Sequence, residues 1–210
     1  MPWVEVALLA GGFAKRLGGM YKPLIRICDK PVLAALAMRL SSAFEKIIVV
    51  VHTKEQEELV SSALANIPGE IIIAVDEIRE TAPIVGLYTA ARNSTTSAFA
   101  VLPADAPFLK AETILNILKH LETFYDAVVP KWPNGYLEPL IASYRREALI
   151  RALNGLDNYG KSVTWLLAKI RTKYVDINAL TPHPNLEFFN LNTPEDLAKA
   201  EEICRRLDYY

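Results

Sequence analysis

Leu8-Leu9-Ala10-Gly11-Gly12-Phe13-Ala14-Lys15-Arg16-Leu17-Gly18-Gly19-Met20-Tyr21-Lys22-Pro23 closes an apolar run that starts at Val4 and opens into four glycines and three basic residues. No acid follows until Asp29. Glycines let a backbone turn tightly and approach a ligand closely. Exposed peptide N–H groups beside Lys and Arg form a pocket for polyanions such as phosphates. A strand that runs into a basic glycine-rich loop therefore predicts a nucleotide site, against the plainer reading of a surface turn with solvated charges. The loop has neither the G-x-x-x-x-G-K-[ST] spacing nor a G-x-G-x-x-G that opens a helix.

Working outward, Val4–Leu9, Lys46–Val51, Glu70–Val75 and Ala98–Leu102 are short, nearly continuous apolar runs, the pattern of strands buried on both faces. Amphipathic stretches separate them. Pro31 opens one, with Leu33, Leu36, Ala37 and Leu40 on a single face. Thr53-Lys54-Glu55-Gln56 has the form of a capping box ahead of Leu59, Val60, Ala63 and Leu64. Val85–Asn93 and Ala111–His120 read as two further helices. This alternation predicts an α/β fold, a Rossmann-like three-layer α/β/α sandwich around a mostly parallel sheet. After residue 125 the rhythm changes. Asp126–Val129 and Leu137–Tyr144 read as strands across Pro130, Pro133, Asn134 and Gly135, an antiparallel excursion. Arg145–Leu153 and Ser162–Lys169 read as helices and Lys173–Ile177 as a strand. A last helix starts at Thr193 as N-cap with Pro194 at its first position. The chain reads as one domain over 1–210, with a nucleotide-binding half over about 1–125 and an acceptor-binding half over about 126–210.

The 210 residues suffice to bury roughly 70% of the unfolded surface without disulfides or a structural metal. A net charge of −1 excludes a general nucleic-acid binder. No apolar run reaches the roughly 18 residues of a membrane span. Glu5 interrupts the first apolar run and no basic segment precedes it, so no secretory leader and a cytoplasmic location are expected. Cys28 and Cys204 stand far apart without ligand spacing and are expected to be buried, reduced thiols.

Open α/β sheets bind ligands past the carboxyl ends of their strands. Past the fourth run lies Pro103-Ala104-Asp105-Ala106-Pro107, where two prolines stiffen the backbone around one carboxylate. Asp105 is suited to hold Mg²⁺, a cation that takes hard oxygen ligands; the alternative is an Asp in a proline turn. Asp76 ends the third run and could accept hydrogen bonds from a ribose or a purine, or serve as a strand-end polar residue. Asn190-Leu191-Asn192 precedes the final helix, where Asn carbonyls can ligate a metal, bind substrate or serve local turns. Glu138, in Tyr136-Leu137-Glu138-Pro139-Leu140, reads equally as a cleft-edge carboxylate or a strand residue. His52, His120 and His183 pair with no nucleophile.

These residues resemble a known family. L-A-G-G-x-x-x-R-[ML]-G-G-x-x-K over Leu9–Lys22, Asp105 with Pro107, and Asn190–Leu197 after Phe188 and Phe189 are similar to the molybdenum cofactor guanylyltransferases. Ala82-Pro83-Ile84-Val85-Gly86 resembles that family's G-P-L-x-G loop. Tyr21 stands where the family usually has Asp, and Ala82 where it has Gly. The resemblance implies Mg²⁺-dependent transfer of GMP from GTP to the phosphate of molybdopterin, with release of pyrophosphate. It implies that Leu9, Ala10 and Gly11 face the guanine and Gly12 the phosphates, and that Arg16 and Lys22 bind the triphosphate. Asp76 would contact the nucleoside and Asp105 hold Mg²⁺. Pro83, Gly86, Asn190 and Asn192 would serve the acceptor. Implied partners are GTP, molybdopterin or the molybdenum cofactor, and molybdoenzymes or other cofactor-biosynthesis proteins, with no nucleic acid and no membrane. The same motifs leave open an adenosylcobinamide-phosphate guanylyltransferase, a molybdopterin cytidylyltransferase, a sugar-phosphate nucleotidyltransferase, or a non-catalytic GTP-binding adaptor.

Overall fold

The computed structural model describes residues 4–14, 19–78, 80–153 and 162–207. In chain order the strands are β1 (Glu5–Leu9), β2 (Phe13–Ala14), β3 (Met20–Tyr21), β4 (Arg26–Ile27), β5 (Lys30–Pro31), β6 (Lys46–Val51), β7 (Glu70–Val75), β8 (Ala98–Pro103), β9 (Ala127–Lys131), β10 (Ala142–Arg145) and β11 (Thr172–Asp176). The helices are α1 (Val32–Ser41), α2 (Lys54–Leu64), α3 (Pro83–Asn93), α4 (Ala111–Lys119), α5 (Arg146–Leu153), α6 (Val163–Leu167), α7 (Pro184–Glu187) and α8 (Pro194–Leu207).

Seven strands form the main sheet in the order β11-β9-β10-β8-β1-β6-β7. β1 lies parallel to both β6 and β8, and β6 parallel to β7, whereas β10 runs antiparallel to β8 and β9. The chain spreads outward from β1 through β6 to β7, then returns with β8 to the other side of β1. That reversal opens a crevice at the carboxyl ends of β1 and β8, where doubly wound sheets bind ligands.

Side-chain alternation along each strand feeds two cores. Val6, Leu8, Ile47, Val49, Ala100 and Leu102 pack under α1, α2, α4 and α8. Ala7, Ile48, Val50, Phe99 and Val101 face α3, α5 and α6 on the opposite side. The expected three-layer α/β/α sandwich is the observed one. The Thr53 capping box forms as read, with Gln56 at its third position. At α8 Thr193 and Asp196 cap reciprocally: the Asp196 N–H donates to Thr193 Oγ1 at 3.2 Å, and the Thr193 N–H to Asp196 Oδ2 at 2.9 Å.

Two expectations are corrected. The strand expected over Leu137–Tyr144 narrows to β10, with Leu137 making only an isolated bridge to Lys131. Pro139 brings no N–H to a ladder; the Glu138 N–H completes that isolated bridge to the Pro130 carbonyl, and the Ile141 N–H closes a turn on the Glu138 carbonyl. Cys28 and Cys204 are not separate thiols but a disulfide across 176 residues of sequence. The fold creates this pairing by laying α8 against the β4–β5 turn, where Cys28 and Asp29 adopt left-handed φ of 45° and 63°. The Cys28 N–H also donates to Glu201 Oε1 at 3.1 Å, a second tie to α8.

Candidate active site

Each parallel strand of the central group delivers one polar element to the same edge. β1 runs into Gly11 and Gly12, β6 into His52, β7 into Asp76, and β8 into Asp105; all five residues line one cleft. Leu9, Lys22, Pro83 and Gly86 line it too, so most of the residues singled out in the sequence converge. Arg16 lies outside the described residues. Ala10 is fully buried beneath the cleft and does not line it.

Lys22 stands at the start of a short 3-10 helix, Lys22–Leu24, with Pro23 fixing its first turn. Its ammonium lies 2.7 Å from Asp105 Oδ2 and 2.8 Å from Asn192 Oδ1. Lys22 and Asp105 are only 17% and 18% exposed, so the pair is screened less than a surface ion pair. Three distant parts of the chain meet at this ammonium. Asn192 is held in place by the α8 cap, since its own N–H donates to Asp196 Oδ2 at 3.0 Å. The Leu191 N–H donates to the Asp105 carbonyl at 3.0 Å, joining the Asn190–Asn192 segment to the β8 loop. Asn190 does not line the cleft; its Oδ1 is buried without a hydrogen-bond partner.

The oxygens fit a hard cation. Asp105 and Asn192 already converge on one positive charge. Among the described residues no cluster of three or more His, Cys, Asp or Glu could hold a metal by itself. Mg²⁺ in phosphoryl sites does not require one, because it binds through one or two carboxylates plus substrate phosphates.

The opposite wall carries a hydrogen-bond chain. His52 Nδ1 lies 3.4 Å from Asp76 Oδ2, and His52 Nε2 lies 2.8 Å from Thr81 Oγ1. The Thr89 hydroxyl of α3 donates to Asp76 Oδ1. Burial pushes the Asp76 carboxyl above its ordinary value, and the bonds from Thr89 and His52 offset only part of the rise. Gly86 is packed on the same wall: a Cβ there would meet Leu9 Cδ2 at 3.3 Å and Val50 Cγ1 at 3.9 Å.

His52 and Thr81 were missed by sequence reasoning. The available signal was the position of His52 directly after a strand, not its spacing from a nucleophile. Glu138 does not line the cleft, although Leu140 does. It accepts the Trp132 indole N–H at 2.8 Å, and burial raises its carboxyl against that bond. Trp132 stands edge-on to Phe188, which ties this loop to the Asn190 segment.

Residues 6–170 match the family described as "MobA-like NTP transferase domain". The chain is 36% identical over 203 residues to a Thermococcus kodakarensis protein named "Probable molybdenum cofactor guanylyltransferase", covering 95% of each. A Natronomonas pharaonis protein of the same name is 28% identical over 197 residues, covering 93% of this chain and 95% of its own length. Among solved structures, the molybdopterin-guanine dinucleotide biosynthesis protein A of Archaeoglobus fulgidus superposes with a TM-score of 0.80 at 29% identity, over 97% of this chain and 100% of that one. The inositol-1-phosphate CTP transferase of T. maritima shares the fold with a TM-score of 0.70 at 15% identity, over 96% of this chain and 95% of that one.

Proposed function

The chain belongs to the MobA-like NTP transferase family and is a nucleotidyltransferase, and on that premise we propose that it transfers GMP from GTP to the phosphate of molybdopterin, releasing pyrophosphate. The observation that carries this reading is the Lys22–Asp105 pair, which lines one cleft together with Gly11 and Gly12 and takes Asn192 as its third partner.

The acceptor is already a phosphate monoester, so its oxygen attacks without a strong general base, and no histidine nucleophile is required. That oxygen forms a bond to the α-phosphorus as the bond from the α-phosphorus to the bridging oxygen breaks, and the pair leaves with pyrophosphate. The protein's part is positioning and charge neutralisation. Lys22, together with Arg16, neutralises the triphosphate. Leu9 and Gly11 seat the base, Ala10 supports them from below, and Gly12 faces the phosphates. Asp76 binds the nucleoside. Asp105, beside the Asn192 amide oxygen, would hold Mg²⁺, which when bound would supply positive charge to the phosphate oxygens. Asn190 and Asn192 border the acceptor's phosphate. Pro83 and Gly86 complete the acceptor side from the first turn of α3. The reaction places the enzyme with the cytoplasmic steps of cofactor assembly, and molybdoenzymes or other biosynthetic proteins would take up its product. Among the described residues no helix is long and apolar enough to cross a membrane.

A panel of GTP, CTP and ATP with molybdopterin and Mg²⁺, scored by pyrophosphate release, tests the proposal. Release with GTP and molybdopterin together is expected. Release only with CTP, or only with another phosphate acceptor, reassigns the substrates. Nucleotide binding without turnover for any acceptor refutes transferase activity.

A further inference from the structure

Two side chains outside the cleft lining control the direction of two successive peptide groups within it. The Tyr21 hydroxyl donates to the Ala10 carbonyl at 2.6 Å. The Gln56 side-chain amide donates to the Gly11 carbonyl at 3.2 Å. No described peptide bond is cis, so the C=O of one residue and the N–H of the next share a rigid plane and point in opposite directions. Fixing the Ala10 carbonyl therefore turns the Gly11 N–H away from Tyr21, and fixing the Gly11 carbonyl turns the Gly12 N–H away from Gln56. Gly11 and Gly12 both line the cleft, and neither N–H makes a hydrogen bond to the described residues.

The anchors are rigid. Ala10 is fully buried and its N–H is engaged by the Val50 carbonyl at 2.7 Å, so the residue is held from both ends. Tyr21 is fixed by backbone pairing of β3 with β2, where it stands opposite Phe13, and its ring packs on the core. Burial also pushes its hydroxyl far above the ordinary tyrosine range, so it stays a donor at any working pH. Gln56 is 2% exposed, and its Oε1 accepts the N–H groups of His52 and Thr53 at 2.7 and 3.2 Å. The residue that completes the α2 capping box thus turns its remaining donor onto the glycine loop.

We infer that Tyr21 and Gln56 are positioning residues that aim the Gly11 and Gly12 amides at acceptor atoms of the bound nucleotide. Tyr21 does so from the position directly before Lys22, so one residue sets both the Gly11 amide and the start of the helix that carries the ammonium. The acceptor atoms belong either to the base or to the phosphates, and only the nucleotide's identity rests on the function proposed above.

The test uses Tyr21→Phe, which keeps the ring, and Gln56→Glu, which keeps the capping oxygen and removes the donor. Loss of one such bond should raise the KM for GTP about five- to tenfold. The KM for the acceptor and kcat at saturating GTP should stay near wild type. Calorimetric binding of guanosine and of inorganic tripolyphosphate separates the sources: weakening of guanosine assigns the amides to the base, and weakening of tripolyphosphate assigns them to the phosphates. Either result supports the inference. A lowered melting temperature with unchanged KM for GTP in both variants overturns it and leaves the function standing. A wild-type chain that binds no nucleoside triphosphate overturns both.

Discussion

Reduction of the Cys28–Cys204 disulfide should cost stability and spare chemistry. The bridge closes 176 residues of sequence, and the loop-closure relation assigns a loop of that length about 5 kcal/mol of lost unfolded-state entropy at 25 °C. That figure is a ceiling, because native disulfides typically contribute about 2–5 kcal/mol. The structure argues for the middle of that range. On reduction the β4–β5 turn keeps its Cys28 N–H bond to Glu201, so part of the attachment to α8 survives. A loss of about 3 kcal/mol corresponds to a melting-temperature drop of about 6–12 °C for a chain of this size. The assay is a pair of calorimetric melts with and without reductant, repeated on Cys204→Ser, with the oxidised state verified by mass. Well below the melting point, GTP turnover should be unchanged in the variant, because Asn192 is held at the other end of α8 by the Asp196 carboxylate and by Lys22. Melts of mass-verified oxidised and reduced protein that agree within about 1 °C would refute the reasoning, as would loss of turnover in a folded Cys204→Ser.

Three further outcomes follow from the site and the sheet. Asp105→Asn should lower kcat by about 10³-fold while the protein stays folded; Mg²⁺-dependent turnover within tenfold of wild type removes Asp105 from its role. Asp76 is raised by burial, so the fold favours its protonated form: its carboxylate weakens the fold as pH rises above the ordinary value of 3.8, and in the nucleoside-binding role proposed for it the ionised carboxylate is the stronger acceptor. KM for GTP should accordingly climb on acidification at a pH above that of an ordinary Asp, and Asp76→Asn should abolish that limb; an identical limb in the variant assigns it elsewhere. Glu5, 3% exposed, is pushed up by burial, but bonds from Ser94 and Thr95 and the charge of Lys46 more than offset this, leaving it below its ordinary 4.5. Its stabilisation is present above 4.5 and is lost as pH falls through the lower folded value, and Glu5→Ala should cost about 3 kcal/mol at neutral pH by stranding those donors; denaturant melts that show a loss below about 1 kcal/mol contradict this.

The central sheet was legible because burial on both faces leaves an unmistakable trace: runs such as Ile47–Val51 carry apolar side chains to two cores at once. The last helix was legible because Thr193, Pro194 and Asp196 satisfy its first turn locally. What escaped depends on distance or on double use. Nothing near Cys28 signals a partner 176 residues away; only the packing of α8 supplies it. Pro139 ended a strand that hydropathy alone would have extended. Gln56 was visible as a capping residue, yet its second bond to Gly11 needs α2 and the β1 loop side by side. His52 carries no motif, and it matters because β6 ends beside β1.

The Lys22 contacts offset the charge that the fold half-buries at Asp105. A half-buried Asp105 facing an Asn oxygen would be poorly solvated and uncompensated, and an unpaired buried charge is costly. The Lys22 ammonium removes that cost by binding both oxygens. Tyr21, one residue earlier, is fastened to the Ala10 carbonyl just past β1 and leads directly into the 3-10 helix. The positive charge that balances Asp105 is the same one proposed above to meet the phosphates, and it follows directly on the residue whose hydroxyl holds the Ala10 carbonyl. Preorganisation and ligand recognition share their residues here, so substitutions at Tyr21 and Lys22 should couple in a double-mutant cycle on KM for GTP, whereas Cys204 and Tyr21 should act additively.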